Sequence, residues 1–88
     1  MEAKKLVGWN LRRLRVARGL TIEELADRAN ASAPYVAQLE RGEVNVGIVL
    51  LERLAKRLGA KLSELTVEPP PGAKAPKPLP AGRRPRRY

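Results

Sequence analysis

The sequence contains no cysteine and no histidine. A disulfide framework, zinc sites built on these residues, cysteine nucleophiles and histidine-dependent catalysis are therefore excluded. No apolar run approaches the roughly 20 residues that a membrane-spanning helix needs, and the N-terminus has no signal-peptide core. We therefore expect a cytoplasmic protein that uses no metal or cofactor and does not contact a membrane.

Acidic residues are scarce relative to basic ones, and the formal net charge is +9. Residues 1–68 carry +3, whereas residues 69–88 have no acidic residue and carry +6. This balance favours a polyanionic partner, of which double-stranded DNA is the obvious one. We do not expect an enzyme, because the sequence has no nucleophile–base pair or phosphate loop, and the adjacent Glu23 and Glu24 diverge on a helix.

Proline is almost absent from the first part of the chain, since seven of the eight prolines lie between Pro69 and Pro85. This shift predicts one small domain at residues 1–68 and a disordered, basic, Pro-rich tail at residues 69–88. Four arginines cluster near the end of that tail, between Arg83 and Arg87. Three interpretations of the tail are open: a mobile arm that follows DNA phosphates, a segment that binds a protein partner, or a solvated tail without a role.

The spacing of apolar residues predicts an all-α domain of five helices and no strand. The first helix runs from about Lys4 to Arg18 and ends at Gly19. The fourth begins after Gly47 and has an apolar stripe that faces the core. Its members are Ile48, Leu51, Leu54, Ala55 and Leu58. A short fifth helix, from about Lys61 to Thr66, would bury Leu62 and Leu65.

The segment TIEELADRANASAPYVAQLERG, residues 21–42, reads as two short helices joined by a tight turn. Thr21 and Glu24 have the spacing of a capping box at the start of the first helix. Asn30 falls where the turn requires a left-handed backbone, which Asn accepts better than most residues. Ser32 can cap the second helix. This layout is that of a helix-turn-helix, whose second helix enters the DNA major groove.

Over about residues 6 to 66 the chain resembles the phage-repressor and Cro type of helix-turn-helix protein, the Xre family. The matching segments, in order, are LRRLR at 11–15, RGLT at 18–21, ELA at 24–26, Ser32-x-x-Tyr35-Val36, QLERG at 38–42 and Leu54-Ala55-x-x-Leu58-Gly59. The sequence departs from the family at Ile22, where Gln is frequent and helps at the DNA backbone. The resemblance implies a compact, repressor-like domain that acts as a sequence-specific, DNA-binding transcription regulator, a dimeric repressor.

The resemblance also implies which residues meet DNA. Four positions of the third helix correspond to base-reading positions of the family: Ala33, Pro34, Ala37 and Gln38. Among them only Gln38 is suited to paired hydrogen bonds with adenine, while the others can touch thymine methyl groups. Arg41 and Asn45 lie where the family's next loop meets the sugar-phosphate strand. Two further backbone contacts are expected, from Thr21, because free backbone N–H groups at the start of the second helix favour phosphate, and from Tyr35, which flanks the third helix. Tyr35 has a second possible role, packing on the rim of the core.

Two structural roles follow from the same resemblance. Arg15, late in the first helix, pairs with Glu40, late in the third, as a clasp that fixes the recognition helix. Apolar residues at the start of the fourth helix lie near the two-fold contact of dimeric relatives and suggest a homodimer surface; they are Val46, Val49 and Leu50. Trp9 falls beside the inner stripe of the first helix, which favours half-buried packing.

Two other hypotheses remain open from the sequence. In the first, the domain is an antitoxin or adaptor whose tail binds a protein partner. In the second, it binds nucleic acid by charge alone, without sequence preference, which the apolar residues at positions 33, 34 and 37 would permit.

Overall fold

The computed structural model describes residues 2–72. Within that range the chain forms only helices: α1 (Ala3–Ala17), α2 (Ile22–Arg28), α3 (Ala33–Glu40), α4 (Ile48–Arg57) and a 3₁₀ helix (Leu62–Leu65). The predicted all-α class is confirmed. No helix in this range has the length and apolar character needed to cross a membrane. Most of the predicted tail, with its arginine cluster, lies outside the described residues.

One hydrophobic core joins all five elements. Helix α3 packs against α1 and α2, and the 3₁₀ helix packs against α1 and α4. Each of the five elements contributes at least one of the largest fully buried apolar side chains, and Leu58 at the end of α4 adds another; the set is Leu11, Leu25, Val36, Leu54, Leu58 and Leu65. The apolar stripe predicted for the fourth helix supplies Leu54 and Leu58, and the predicted fifth helix supplies Leu65, so helical periodicity identified these core residues correctly.

Two apolar residues predicted for the core are exposed instead. Leu62 is 37% exposed and Ile48 is 66% exposed. The fifth helix is a single 3₁₀ turn, shorter than predicted, and it presents only Leu65 to the groove between α1 and α4. Ile48 is the first residue of α4, one turn before buried Leu51, and no neighbouring helix in the described range covers it.

A buried asparagine fixes the chain after α4 onto α1. The Asn10 side chain is fully buried, and its amide nitrogen donates to the carbonyl oxygens of Leu65 and Val67 at 3.3 and 2.8 Å. Its Oδ1 accepts from the Arg13 guanidinium at 3.1 Å, and that guanidinium lies 5.8 Å from the centre of the half-buried Trp9 ring. Asn is unfavourable inside a helix, and its presence in α1 is explained by these hydrogen bonds to the chain that follows α4.

Candidate nucleic-acid interface

The turn between α2 and α3 has the geometry that the sequence predicts. Asn30 has a φ of 57°, in the left-handed region. The Ser32 hydroxyl accepts a hydrogen bond from the Tyr35 backbone N–H at 3.2 Å and caps α3. The backbone N–H of Ala31 donates to the carbonyl of Ala26 at 2.9 Å, which closes the C-terminal end of α2 around Asn30. These local bonds set the angle at which α3 leaves the turn.

Thr21 caps α2 through a complete capping box. Its hydroxyl accepts from the Glu24 backbone N–H at 3.1 Å, and its own backbone N–H donates to the Glu24 carboxylate at 2.8 Å. Two backbone donors at this helix start are therefore already used, and a carboxylate lies beside them. Ile22, next in the chain, packs partly against the core.

The end of α3 is held by a buried ion pair with α1. The Arg15 guanidinium binds both carboxylate oxygens of Glu40, Nε to Oε2 at 2.6 Å and Nη2 to Oε1 at 3.0 Å. Both side chains are 5% exposed. A third donor, Nη1, reaches the carbonyl oxygen of Leu20 at 2.8 Å, so the pair also ties down the chain that leads into α2. The predicted clasp is confirmed.

A glycine in the middle of α1 lets that helix touch the backbone of α3. A Cβ on Gly8 would lie 2.6 Å from the carbonyl oxygen of Glu40 and against that of Leu39. Real Cβ atoms do not approach backbone this closely, so only glycine fits here. This contact was not predicted from the sequence, although a glycine inside a helical pattern is a signal of close packing.

The outward face of α3 is a stripe of three exposed residues, Pro34, Gln38 and Arg41. They recur at i, i+4 and i+7, so they lie on one side of the helix. Ala33 and Ala37 flank this stripe and are half-buried, and Ala33 packs partly against the core. Gln38 is therefore the one side chain of the stripe that can both donate and accept hydrogen bonds.

Tyr35 packs on the rim of the core and positions the loop that follows α3. Its ring is half-buried against core residues, and its hydroxyl donates to the carbonyl oxygen of Asn45 at 2.9 Å. The packing role considered for Tyr35 is thus confirmed. This bond ties the backbone of Asn45 to α3, and the Asn45 side chain is exposed.

Arg41 ends α3, and its guanidinium is already paired. It donates to both oxygens of Glu43, Nε to Oε2 at 2.9 Å and Nη2 to Oε1 at 3.1 Å. These side chains are 57% and 51% exposed. The hydrogen bonds from Arg41 hold the pKa of the Glu43 carboxyl below its ordinary value, and Glu43 raises the pKa of Arg41. Glu43 was not among the site residues predicted from the sequence.

Comparison with known proteins shows the family to which the chain is similar. Residues 6–66 match the family described as a helix-turn-helix domain. An uncharacterized HTH-type transcriptional regulator of Sinorhizobium fredii is 45% identical over 65 residues, which cover 74% of this chain and 84% of that protein. The immunity repressor of Bacillus phage phi105 is 37% identical over 62 residues, 70% of this chain but 43% of the repressor.

A solved structure supports the same likeness. The restriction-modification controller protein C.AhdI from Aeromonas hydrophila superposes with a TM-score of 0.69 at 39% identity, over 70% of this chain and 94% of that one.

Proposed function

This chain belongs to the helix-turn-helix domain family of DNA-binding transcription regulators, and from that premise we propose that it is a sequence-specific repressor that inserts α3 into the major groove. The observation that carries the proposal is that both ends of α3 are fixed to the rest of the domain while its outward face is exposed. One face of this helix is exposed, while Ser32 caps its start and the Arg15–Glu40 pair fixes its end. A rigidly held helix that exposes Gln38 on its outward face suits readout of base edges.

The proposed contacts divide into base readout and backbone positioning. We assign Gln38 to a base edge, with Ala33, Pro34 and Ala37 as its apolar surroundings. We assign the backbone contacts to Thr21, Tyr35, Arg41 and Asn45. Backbone contacts give register and most of the affinity, and base contacts give the preference. Selection of bound fragments from a random-duplex library tests this proposal, and recovery of no preferred sequence contradicts it.

Replacing Gln38 by alanine should weaken binding to the selected duplex by about 1–3 kcal/mol and leave a scrambled duplex nearly unaffected, because Gln38 is the polar base-reading side chain. Fluorescence anisotropy titrations on both duplexes measure this difference. Arg41→Ala is the matched contrast, since loss of a phosphate contact should weaken both duplexes alike. Equal losses on both duplexes for Gln38→Ala would instead place Gln38 at the backbone.

We further propose that the protein binds DNA as a homodimer through the start of α4. Ile48 and Val49 are 66% and 69% exposed there, beside half-buried Val46 and Leu50. These four residues form the α4 apolar patch. A two-fold dimer would place two copies of α3 about 34–36 Å apart and would require a palindromic site.

Replacing Ile48 by glutamate should convert a dimer into a monomer at the same protein concentration, because a charge in the centre of an apolar interface is left without a partner. Sedimentation equilibrium measures the mass. Val67→Glu is the control, since Val67 is also an exposed apolar residue but lies after the 3₁₀ helix. If the wild-type protein is a monomer both in the absence of DNA and when bound to it, the proposed homodimer is contradicted.

The comparisons do not favour the antitoxin, adaptor or charge-only hypotheses, because the relatives found are described as transcription regulators and a repressor. For the same reason we infer a regulator rather than an enzyme. Equal affinity for selected and scrambled duplexes would revive charge-only binding.

A further inference from the structure

We propose that Glu43 is a built-in competitor of DNA phosphate, which occupies Arg41 in the free protein and is displaced when the domain binds a duplex. This inference rests on the proposed function, because it assumes that Arg41 contacts the DNA backbone. It assigns a role in DNA affinity to an acidic residue that pairs with Arg41 at the end of the exposed stripe of α3. Glu43 would weaken binding to every duplex and thereby prevent tight binding to sequences that Gln38 does not select.

The geometry of the pair supports competition. Glu43 uses Nε and Nη2 of Arg41, with two parallel hydrogen bonds of 2.9 and 3.1 Å. A phosphate takes the same two parallel donors when it binds arginine in a bidentate manner. Both groups cannot use this edge of the guanidinium at once. Arg41 therefore has to exchange one anion for the other, or bind the phosphate with its remaining donors only.

A second cation lies near the same carboxylate. Gly42, with a φ of +72°, packs against the first turn of α1, where a Cβ would lie 2.8 Å from Lys5 Cγ. This contact brings the next residue, Glu43, close enough to Lys5 for that charge to help lower the pKa of the carboxyl. Glu43 thus pairs directly with Arg41, and Lys5 makes the smallest of the contributions that lower its pKa.

The alternative role for Glu43 is to hold Arg41 ready for DNA. Solvent exposure argues against it, since an exposed ion pair between flexible side chains orders them only weakly. A carboxylate at the interface, by contrast, repels every phosphate within a Debye length. Competition therefore outweighs orientation here. Because all phosphates carry the same charge, the effect should be independent of DNA sequence.

The test measures the affinity of the full chain for a selected and a scrambled duplex over a series of salt concentrations. Glu43→Gln keeps the size of the side chain and removes its charge. It should tighten binding to both duplexes by about 3- to 10-fold at low salt and steepen the slope of log K against log salt by up to ~0.9. In an Arg41→Ala background the same change should have a much smaller effect. Glu52→Gln, at an exposed glutamate of α4, is the control for the change in net charge.

The outcomes distinguish failure of the competitor role of Glu43 from failure of the proposed DNA-binding function. If Arg41→Ala weakens both duplexes while Glu43→Gln leaves affinity unchanged or lowers it, Glu43 is no competitor and the DNA-binding function stands. If Glu52→Gln tightens binding as much as Glu43→Gln, only net charge matters and the inference is wrong. If the wild-type chain prefers no duplex and Arg41→Ala changes nothing, the proposed function itself fails.

Discussion

Replacing Glu40 by alanine is expected to lower the free energy of unfolding by about 3–5 kcal/mol, because it leaves the buried Arg15 guanidinium without its counter-ion. Arg15 is 4% exposed, and its contact with the carbonyl of Leu20 cannot neutralise the charge. For a domain of this size the loss corresponds to a fall in melting temperature of at least about 12 °C. Thermal and urea unfolding followed by circular dichroism measure both quantities.

The chain supplies its own control for this experiment. Arg41 and Glu43 form a second ion pair with the same two-bond geometry, but these side chains are 57% and 51% exposed. Glu43→Ala should therefore leave the unfolding midpoint unchanged within error, since solvent screens an exposed pair. Similar losses for the two variants would show that burial does not decide the effect and that Glu40 is no clasp.

A double replacement distinguishes the buried charge from the pair itself. Arg15→Met combined with Glu40→Leu removes both charges and fills the space with apolar groups. Such exchanges are often neutral or stabilising in other proteins, whereas single removals are costly. We therefore expect the double variant to be more stable than Glu40→Ala. In the double variant α3 still loses the fixed orientation that the two hydrogen bonds provide. Relative to the wild type, the ratio of its affinities for the selected and scrambled duplexes should therefore fall, even if its free energy of unfolding is little changed.

The features that the sequence predicted well are those that local chemistry determines. The capping box of Thr21 and Glu24, the cap at Ser32 and the left-handed Asn30 each depend on residues within a few positions of one another. The Arg15–Glu40 pair spans 25 positions, and only the family resemblance predicted it.

The features that the sequence analysis missed depend on where elements meet in three dimensions. Periodicity placed Ile48 on the inner stripe of α4 but could not indicate where the covering helices end. Asn10 acquires its role from carbonyl groups 55 and 57 positions away in the sequence. Glu43 acquires its role from Arg41 at the end of α3. The base contacts remain predictions, because they depend on DNA as well as on this chain.

Gly8→Ala is the second replacement with a large expected effect, and we expect it to destabilise the domain by about 3 kcal/mol or more. In an exposed helix the same change would be stabilising by about 1 kcal/mol, because alanine is the better helix former. Here the added methyl group meets the carbonyl oxygens of Leu39 and Glu40, which belong to backbone and cannot rotate away. Overpacking of a well-packed contact typically costs 1–3 kcal/mol, and two rigid backbones yield less than side chains do.

The control for Gly8 is Gly47→Ala, where a Cβ would meet nothing within 4 Å and φ is −70°. The free energy of unfolding of that variant should lie within about 1 kcal/mol of the wild-type value.

A second measurement connects Gly8 with function. Relief of the clash must move the end of α3 away from α1, which also stretches the Arg15–Glu40 pair. At temperatures where Gly8→Ala remains folded, its affinity for the selected duplex should therefore fall more than its affinity for a scrambled one. A variant that is as stable and as selective as Gly47→Ala would show that α1 and α3 tolerate a wider separation and that their close contact does not position the recognition helix.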